Sequence, residues 1–160
     1  MRKPKIYLET TIFNYFFDIE RDGHIDTVLL FKEIQAGKFE AYTSVYVVDE
    51  LKETKEESKR LKMLALISKY SVTILPDDDE AQNLANIYIN EGVIPANKKF
   101  DSLHISVATV NNLDYIFSYN FHHINRDKTK KMTSVINIRE GYKPITITTA
   151  SEVVEHGDNE

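Results

Sequence analysis

Three carboxylates stand where their neighbours are apolar. Glu9 closes the run Lys5-Ile-Tyr-Leu8 and is followed by Thr10 and Thr11; Glu50 follows Tyr46, Val47 and Val48; Asp101 opens the segment DSLHISVATV. The other acids fall mostly in runs, Glu50 to Glu57 and Asp77 to Glu80, whose simplest reading is a solvated helix face. Taken singly, each of the three has an ordinary explanation. Glu9 serves as a strand-end charge, and Asp101 has a favourable place in the first turn of a helix. Gathered at one point they would repel one another, because a buried carboxylate is costly unless paired or bound to a cation. A divalent ion relieves that repulsion, and oxygen-only ligand sets suit Mg2+ or Mn2+. Such ions activate water and stabilise the charge that develops on a phosphoryl group during hydrolysis.

Other chemistries find little support. There is no GxGxxG, no GxxxxGK[ST], no GxSxG and no HExxH, and five glycines leave little for a backbone phosphate cradle. The absence of cysteine excludes disulfides, thiolate zinc sites and cysteine nucleophiles, and fits a reducing compartment. His122-His123 is the one histidine cluster, but adjacent residues on a regular element do not readily share one site. A net charge of −5 argues against broad adhesion to nucleic acid or anionic membrane, while leaving room for a local basic edge. Two such edges exist, Lys98-Lys99 and the run Arg126-Asp-Lys128-Thr-Lys130-Lys131, and solvated surface charge is the plainer reading of each. No signal-peptide pattern precedes Glu9, and the longest uncharged stretch, Ser102 to Leu113, is too short and polar to span a bilayer. A cytoplasmic protein with no membrane association is expected.

The elements that must position these residues follow from the apolar periodicity, which switches repeatedly between two and 3.6 residues. At 160 residues, 42% apolar and 28% charged, the chain suits one domain with a core of its own. Strands are expected at Lys5–Leu8, Phe39–Thr43, Val72–Leu75, Tyr115–Ser118 and Ile145–Thr148. Helices are expected over Thr11–Phe17, Asp26–Ala36, Val45–Lys52 with Ser44 as cap, and Lys55–Tyr70 with Leu61, Leu64, Ala65 and Ile67 near one face. A helix after Asp77–Asp79 carries the stripe Ala81, Leu84, Ala85, Tyr88, and another covers Thr129–Glu140. Asp101–Asn111 alternates like a strand at Leu103, Ile105 and Val107, but its length and the Asn-Asn stop favour a buried helix. Phe13, Tyr15, Phe16 and Phe17 suit core packing better than an interface. Residues 1–150 are expected to form the domain and 151–160 a short, partly frayed segment. Alternating strands and helices imply an α/β fold with a mostly parallel central sheet in a three-layer α/β/α arrangement. Ligands of such sheets bind beyond the carboxyl ends of the strands, where Glu9 and Asn120 are expected.

Four segments in this order and spacing, KIYLETTIFNYF, YTSVYVVDELK, KFDSLHISVAT and YIFSYNFHHI, resemble the motifs of PIN domains (named after the PilT N-terminus), which include the VapC-type toxins of toxin–antitoxin pairs. The resemblance runs from Lys5 to about Thr148. It implies a PIN-like fold and a metal-dependent endoribonuclease that cuts RNA with Mg2+ or Mn2+ held by acids at the carboxyl end of the sheet. Carried over position by position, the metal and catalytic positions fall on Glu9, Glu50, Asp101 and Asn120. The family's usual first Asp is Glu9 here, and its usual fourth Asp is Asn120. Thr10 falls where the family commonly has a small hydroxyl residue. With Ser118, His122, Lys98, Lys99, Arg126 and Lys128 it makes up the expected substrate contacts. A homodimer paired with a small antitoxin is implied as well. The two replaced aspartates leave a second reading open: a weakened PIN-like scaffold that binds RNA or a protein partner without cutting.

Overall fold

The structure is a computed structural model and describes residues 2–154; the tail expected to fray after that lies outside the described residues. The first strand, β1 (Lys5–Leu8), occupies the centre of a five-stranded sheet. It pairs in parallel with β2 (Glu40–Ser44) on one side and with β4 (Tyr115–Phe117) on the other. The edges are β3 (Thr73–Leu75), beside β2, and β5 (Thr146–Thr148), beside β4, giving the order β3-β2-β1-β4-β5. Every pairing is parallel, so each connection crosses from one end of the sheet to the other through a helix. Ile6, Tyr7 and Leu8 alternate across the sheet, and all three are fully buried, so helices cover both faces at its centre. The α/β fold class read from the sequence is the one observed.

The helices are α1 (Thr10–Phe17), α2 (His24–Gln35), α3 (Val45–Lys52), α4 (Glu57–Lys69), α5 (Asp79–Asn90), α6 (Lys99–Val110), α7 (Asp127–Arg139) and α8 (Ala150–Val153), with a 3-10 turn at Ala96–Lys98. Ser44 ends β2 and caps α3 by accepting the N–H groups of Tyr46 and Val47. Gly37 stops α2 with a φ of 86°, a left-handed conformation that costs glycine nothing. The stripe Ala81, Leu84, Ala85, Tyr88 of α5 is buried as expected. Every residue of α6 from Asp101 to Thr109 is buried. That enclosure explains the strand-like alternation of its sequence, because a helix covered all round carries no polar face to reveal its period.

One expected face is corrected. Helix α4 buries Met63, Leu66 and Ile67, while Leu61 and Ala65 are exposed. Apolar residues occur on two sides of this helix, and packing against α1 and α3 selects the side carrying Met63. In α1, Phe13 is buried, Phe16 packs edge-on to Phe31 at 5.1 Å, and Tyr15 stacks on Tyr119 at 4.0 Å. Among the described residues no helix is long and apolar enough to cross a membrane.

Candidate functional site

Parallel strands present their carboxyl ends at one edge, and Glu9 and Glu50 meet there with Asp101 to one side. Glu9 follows β1 directly and serves as the N-cap of α1. Its Oε1 accepts from the Thr11 N–H at 3.2 Å, the Thr11 hydroxyl at 2.6 Å and the Ser118 hydroxyl at 2.7 Å. Glu9 is only 3% exposed. Burial pushes its pKa up, a nearby His104 and the Thr11 and Ser118 bonds work against this, and Glu50 adds to it; the balance is a raised pKa.

Glu50 comes from α3, whose start is fixed by the Ser44 cap. Its Oε1 accepts from the Thr10 hydroxyl and from His104 Nε2, the latter at 2.8 Å. Burial raises the Glu50 pKa, but the bond to His104, that residue's charge and the Thr10 hydroxyl outweigh it, and the carboxyl is held below its usual range. Asp101, in the first turn of α6, is likewise mostly buried. Its pKa is raised by burial and by Glu50, against the pull of His104, His123 and the Asn120 bond. Asn120 donates its Nδ2 to Asp101 at 3.3 Å, and its Oδ1 accepts the His123 N–H at 3.1 Å.

In the sequence His104 reads as part of an apolar helix, yet it lies at the centre of this cluster. It sits one turn beyond Asp101 on α6, is fully buried, and joins Glu50 to the Tyr7 hydroxyl, 2.6 Å from its Nδ1. Donor atoms of Glu9, Glu50 and His104 all lie within 4.8 Å of one another, a spacing that could hold a metal ion. Asp101 stands outside that tight group, beside Asn120. The signal available in the sequence was the Asp101–His104 spacing of three, which places both on one helix face.

A cleft of about 1010 Å3 opens beside these residues, with Glu50, Asp101 and Asn120 in its wall. Lys98, Lys99, His122 and His123 also line it. Both histidines reach the cleft because they sit on a tight turn, closed by the Ile124 and Asn125 N–H groups on the Asn120 carbonyl, and not on a regular element. Arg21 and Lys59 lie at the same opening, and both pair with Asp18.

Several expected substrate contacts are placed differently. Ser118 is fully buried, and its hydroxyl donates to Glu9, so it supports an acid and cannot meet a substrate. The Thr10 hydroxyl is likewise committed to Glu50. Of the two basic edges, only Lys98-Lys99 lines the cleft. The turn after Asn120 carries the chain past the opening before α7 begins. Arg126 therefore bonds the His122 carbonyl at 3.1 Å, and Lys128 lies exposed in the first turn of α7.

No protein-family model matches the sequence, and no curated protein matches it either. Similarity appears in the structure. A chain of VapBC2 from Rickettsia felis, crystallised bound to a DNA fragment from its promoter, matches with a TM-score of 0.54 at 19% identity, over 76% of this chain and 93% of that one. VapC20 of Mycobacterium tuberculosis, a toxin that cleaves the sarcin–ricin loop, matches with a TM-score of 0.55 at 12% identity, over 74% of this chain and 92% of that one. At these identities the likeness is one of fold: the five-stranded parallel sheet and its helices are PIN-like, as the four sequence segments implied.

Proposed function

We propose that this protein is a divalent-cation-dependent endoribonuclease of the VapC type, with Glu9, Glu50 and Asp101 as the acids of its site. The observation that carries this reading is the approach of three carboxylates, Glu9 and Asp101 buried and Glu50 partly buried, at the carboxyl edge of the sheet, beside a cleft lined by Lys98, Lys99, His122 and His123. The donor set fits Mg2+ or Mn2+, since the oxygens of Glu9 and Glu50 lie close together and each carboxylate spends only Oε1 on protein donors. An ion held there supplies charge for water activation and for the phosphoryl oxygens. The chain's own residues do the rest. Thr11 and Ser118 hold Glu9, Thr10 and His104 hold Glu50, and Asn120 orients Asp101. The lysines at the start of α6 draw the RNA backbone to the cleft. A small antitoxin as partner and a homodimeric state belong to the same reading, supported by the fold shared with VapBC2, as does a cytoplasmic site of action.

The test is cleavage of a mixed RNA pool in Mn2+, compared between the wild type and Asp101→Asn. Fragments are expected from the first and not from the second. Equal cutting by both, or none by either, removes the assignment of these acids.

One observation favours a second reading, a PIN-like scaffold that binds without cutting. Asn120 directs an amide N–H at Asp101, where the family's aspartate would add a negative charge. Titration with Mn2+ separates the two. A thermal shift that grows with Mn2+ and is lost in Glu9→Ala supports the enzyme. The scaffold reading requires that Mn2+ leave the melting temperature unchanged.

A further inference from the structure

His104 lies deeper than any acid of the site and touches it through Glu50. It ends a buried chain of side chains that begins at the cap of α3. Ser44, Tyr7 and His104 are each fully buried. Ser44 Oγ lies 2.7 Å from the Tyr7 hydroxyl, which lies 2.6 Å from His104 Nδ1, and His104 Nε2 lies 2.8 Å from Glu50 Oε1. Two roles compete for Nε2. It is close enough to the oxygens of Glu9 and Glu50 to be a third ligand of one cation. Alternatively, it carries a proton and donates that proton to Glu50.

Hydrogen-bond accounting decides between them. An ionised carboxylate only accepts, so a 2.8 Å contact to Glu50 requires a proton on Nε2. The far end of the chain gives the same answer. Ser44 Oγ accepts the N–H groups of Tyr46 at 3.2 Å and Val47 at 3.4 Å, which occupies its lone pairs. Its own proton therefore goes to Tyr7, the Tyr7 proton goes to Nδ1, and the ring faces Glu50 as an Nε2–H donor. Adding a proton at Nδ1 would reverse the Tyr7 bond and leave the Nε2–H in place. The direction of the Glu50 bond is thus independent of the charge on His104.

We propose that His104 is a positioning residue of the acid site and not a cation ligand: oriented by Tyr7 and Ser44, its Nε2–H anchors Oε1 of Glu50 and leaves Oε2 as the oxygen available to a cation. Thr10 donates to the same Oε1, and Glu9 is treated in the same way, with all its donors on Oε1. Each glutamate thereby becomes a one-oxygen ligand of fixed direction. Only this last step depends on the proposed metal site; the direction of the His104 bond does not.

Long-range 1H–15N correlation of the histidine rings, in the metal-free full-length protein and again in excess Mg2+, reads the proton directly. Nε2 is expected to be protonated in both states. An unprotonated or metal-shifted Nε2 in either state overturns the proposal. Calorimetric titration with Mn2+ supplies the second readout. His104→Ala is expected to weaken binding about 10- to 100-fold, and His104→Gln, whose side-chain amide can donate to Glu50, to restore most of it. Equal losses in both variants would count against a donor role. If the wild type binds no Mn2+, the metal site fails, and the ring spectrum still decides the direction of the bond.

Discussion

Glu9 and Asp114 lie at opposite ends of the same two strands, β1 and β4. Asp114 precedes β4, and its carboxylate takes the Lys5 N–H at 2.8 Å, Arg2 at 3.1 Å and Lys143 at 2.8 Å. Burial pushes its pKa up, but these bonds and the Lys143 charge hold the carboxyl well below the usual range. Glu9 follows β1, and among the described residues its carboxylate is bonded by Thr11 and Ser118 alone, with the Glu50 carboxylate nearby and its own pKa raised. At the Asp114 end the chain supplies the cations that its acid needs. At the Glu9 end the three carboxylates are bonded by hydroxyls, amides and His104, and among the described residues no lysine or arginine pairs with them. That shortage of paired cations lies at the edge where ligands of parallel sheets bind, and a cation from solution would make it good.

The contrast can be broken most severely at Glu50. Glu50→Gln keeps the shape and an acceptor oxygen, so its melting temperature should stay within about 2 °C of wild type, while RNA cleavage should fall on the order of a hundredfold or more. A variant that cuts normally would move the site elsewhere. Next is Ser118→Ala, which removes the 2.7 Å donor to Glu9. It is expected to weaken Mn2+ binding about tenfold and to cost about 1 kcal/mol in urea unfolding. At the opposite end, Asp114→Asn should leave cleavage unchanged and cost about 1–2 kcal/mol, or ~3–6 °C in melting temperature. Loss of cleavage in Asp114→Asn would erase the division of labour between the two edges.

Acid sharpens the same comparison. Because the native pKa of Asp114 is depressed, its contribution is complete above an ordinary aspartate pKa of about 3.9 and fades as pH falls below that toward the native value. Urea melts of the wild type and Asp114→Asn should therefore differ at pH 7 and converge in strong acid. The smallest effect concerns the cations of the cleft. Lys98→Gln and Lys99→Gln are each expected to lower the slope of log binding constant against log salt by about 0.7 for a single-stranded RNA. Lys128→Gln, off the cleft, should leave the slope alone.

Local chemistry made most of the fold legible. Ser44 announces α3 because a serine before an apolar helical run has a capping role to fill, and Gly37 ends α2 because few other residues tolerate its φ. The face of α4 was misread because two apolar stripes compete on that helix, and only its neighbours choose between them. Glu9, Glu50 and Asp101 stand out in the sequence as isolated charges near element ends, and the rule for parallel sheets gives the edge at which to look for them. Only its spacing of three from Asp101 marks His104, since a histidine inside DSLHISVATV looks like core until Tyr7 and Glu50 are brought to its two ring nitrogens. Ser118 and Thr10 were assigned to the substrate for a related reason. Their hydroxyls are spent on Glu9 and Glu50, partners 109 and 40 positions away.

The strand order has a consequence in time. Strand β1 is synthesised before the other four strands of the sheet yet lies at its middle, and its β4 partner ends at Phe117. During translation the Glu9 carboxylate waits, without its Ser118 donor, while a further 109 residues are made. The acid cluster closes only when those distant segments meet, so a nascent or truncated chain carries its charges without their arrangement.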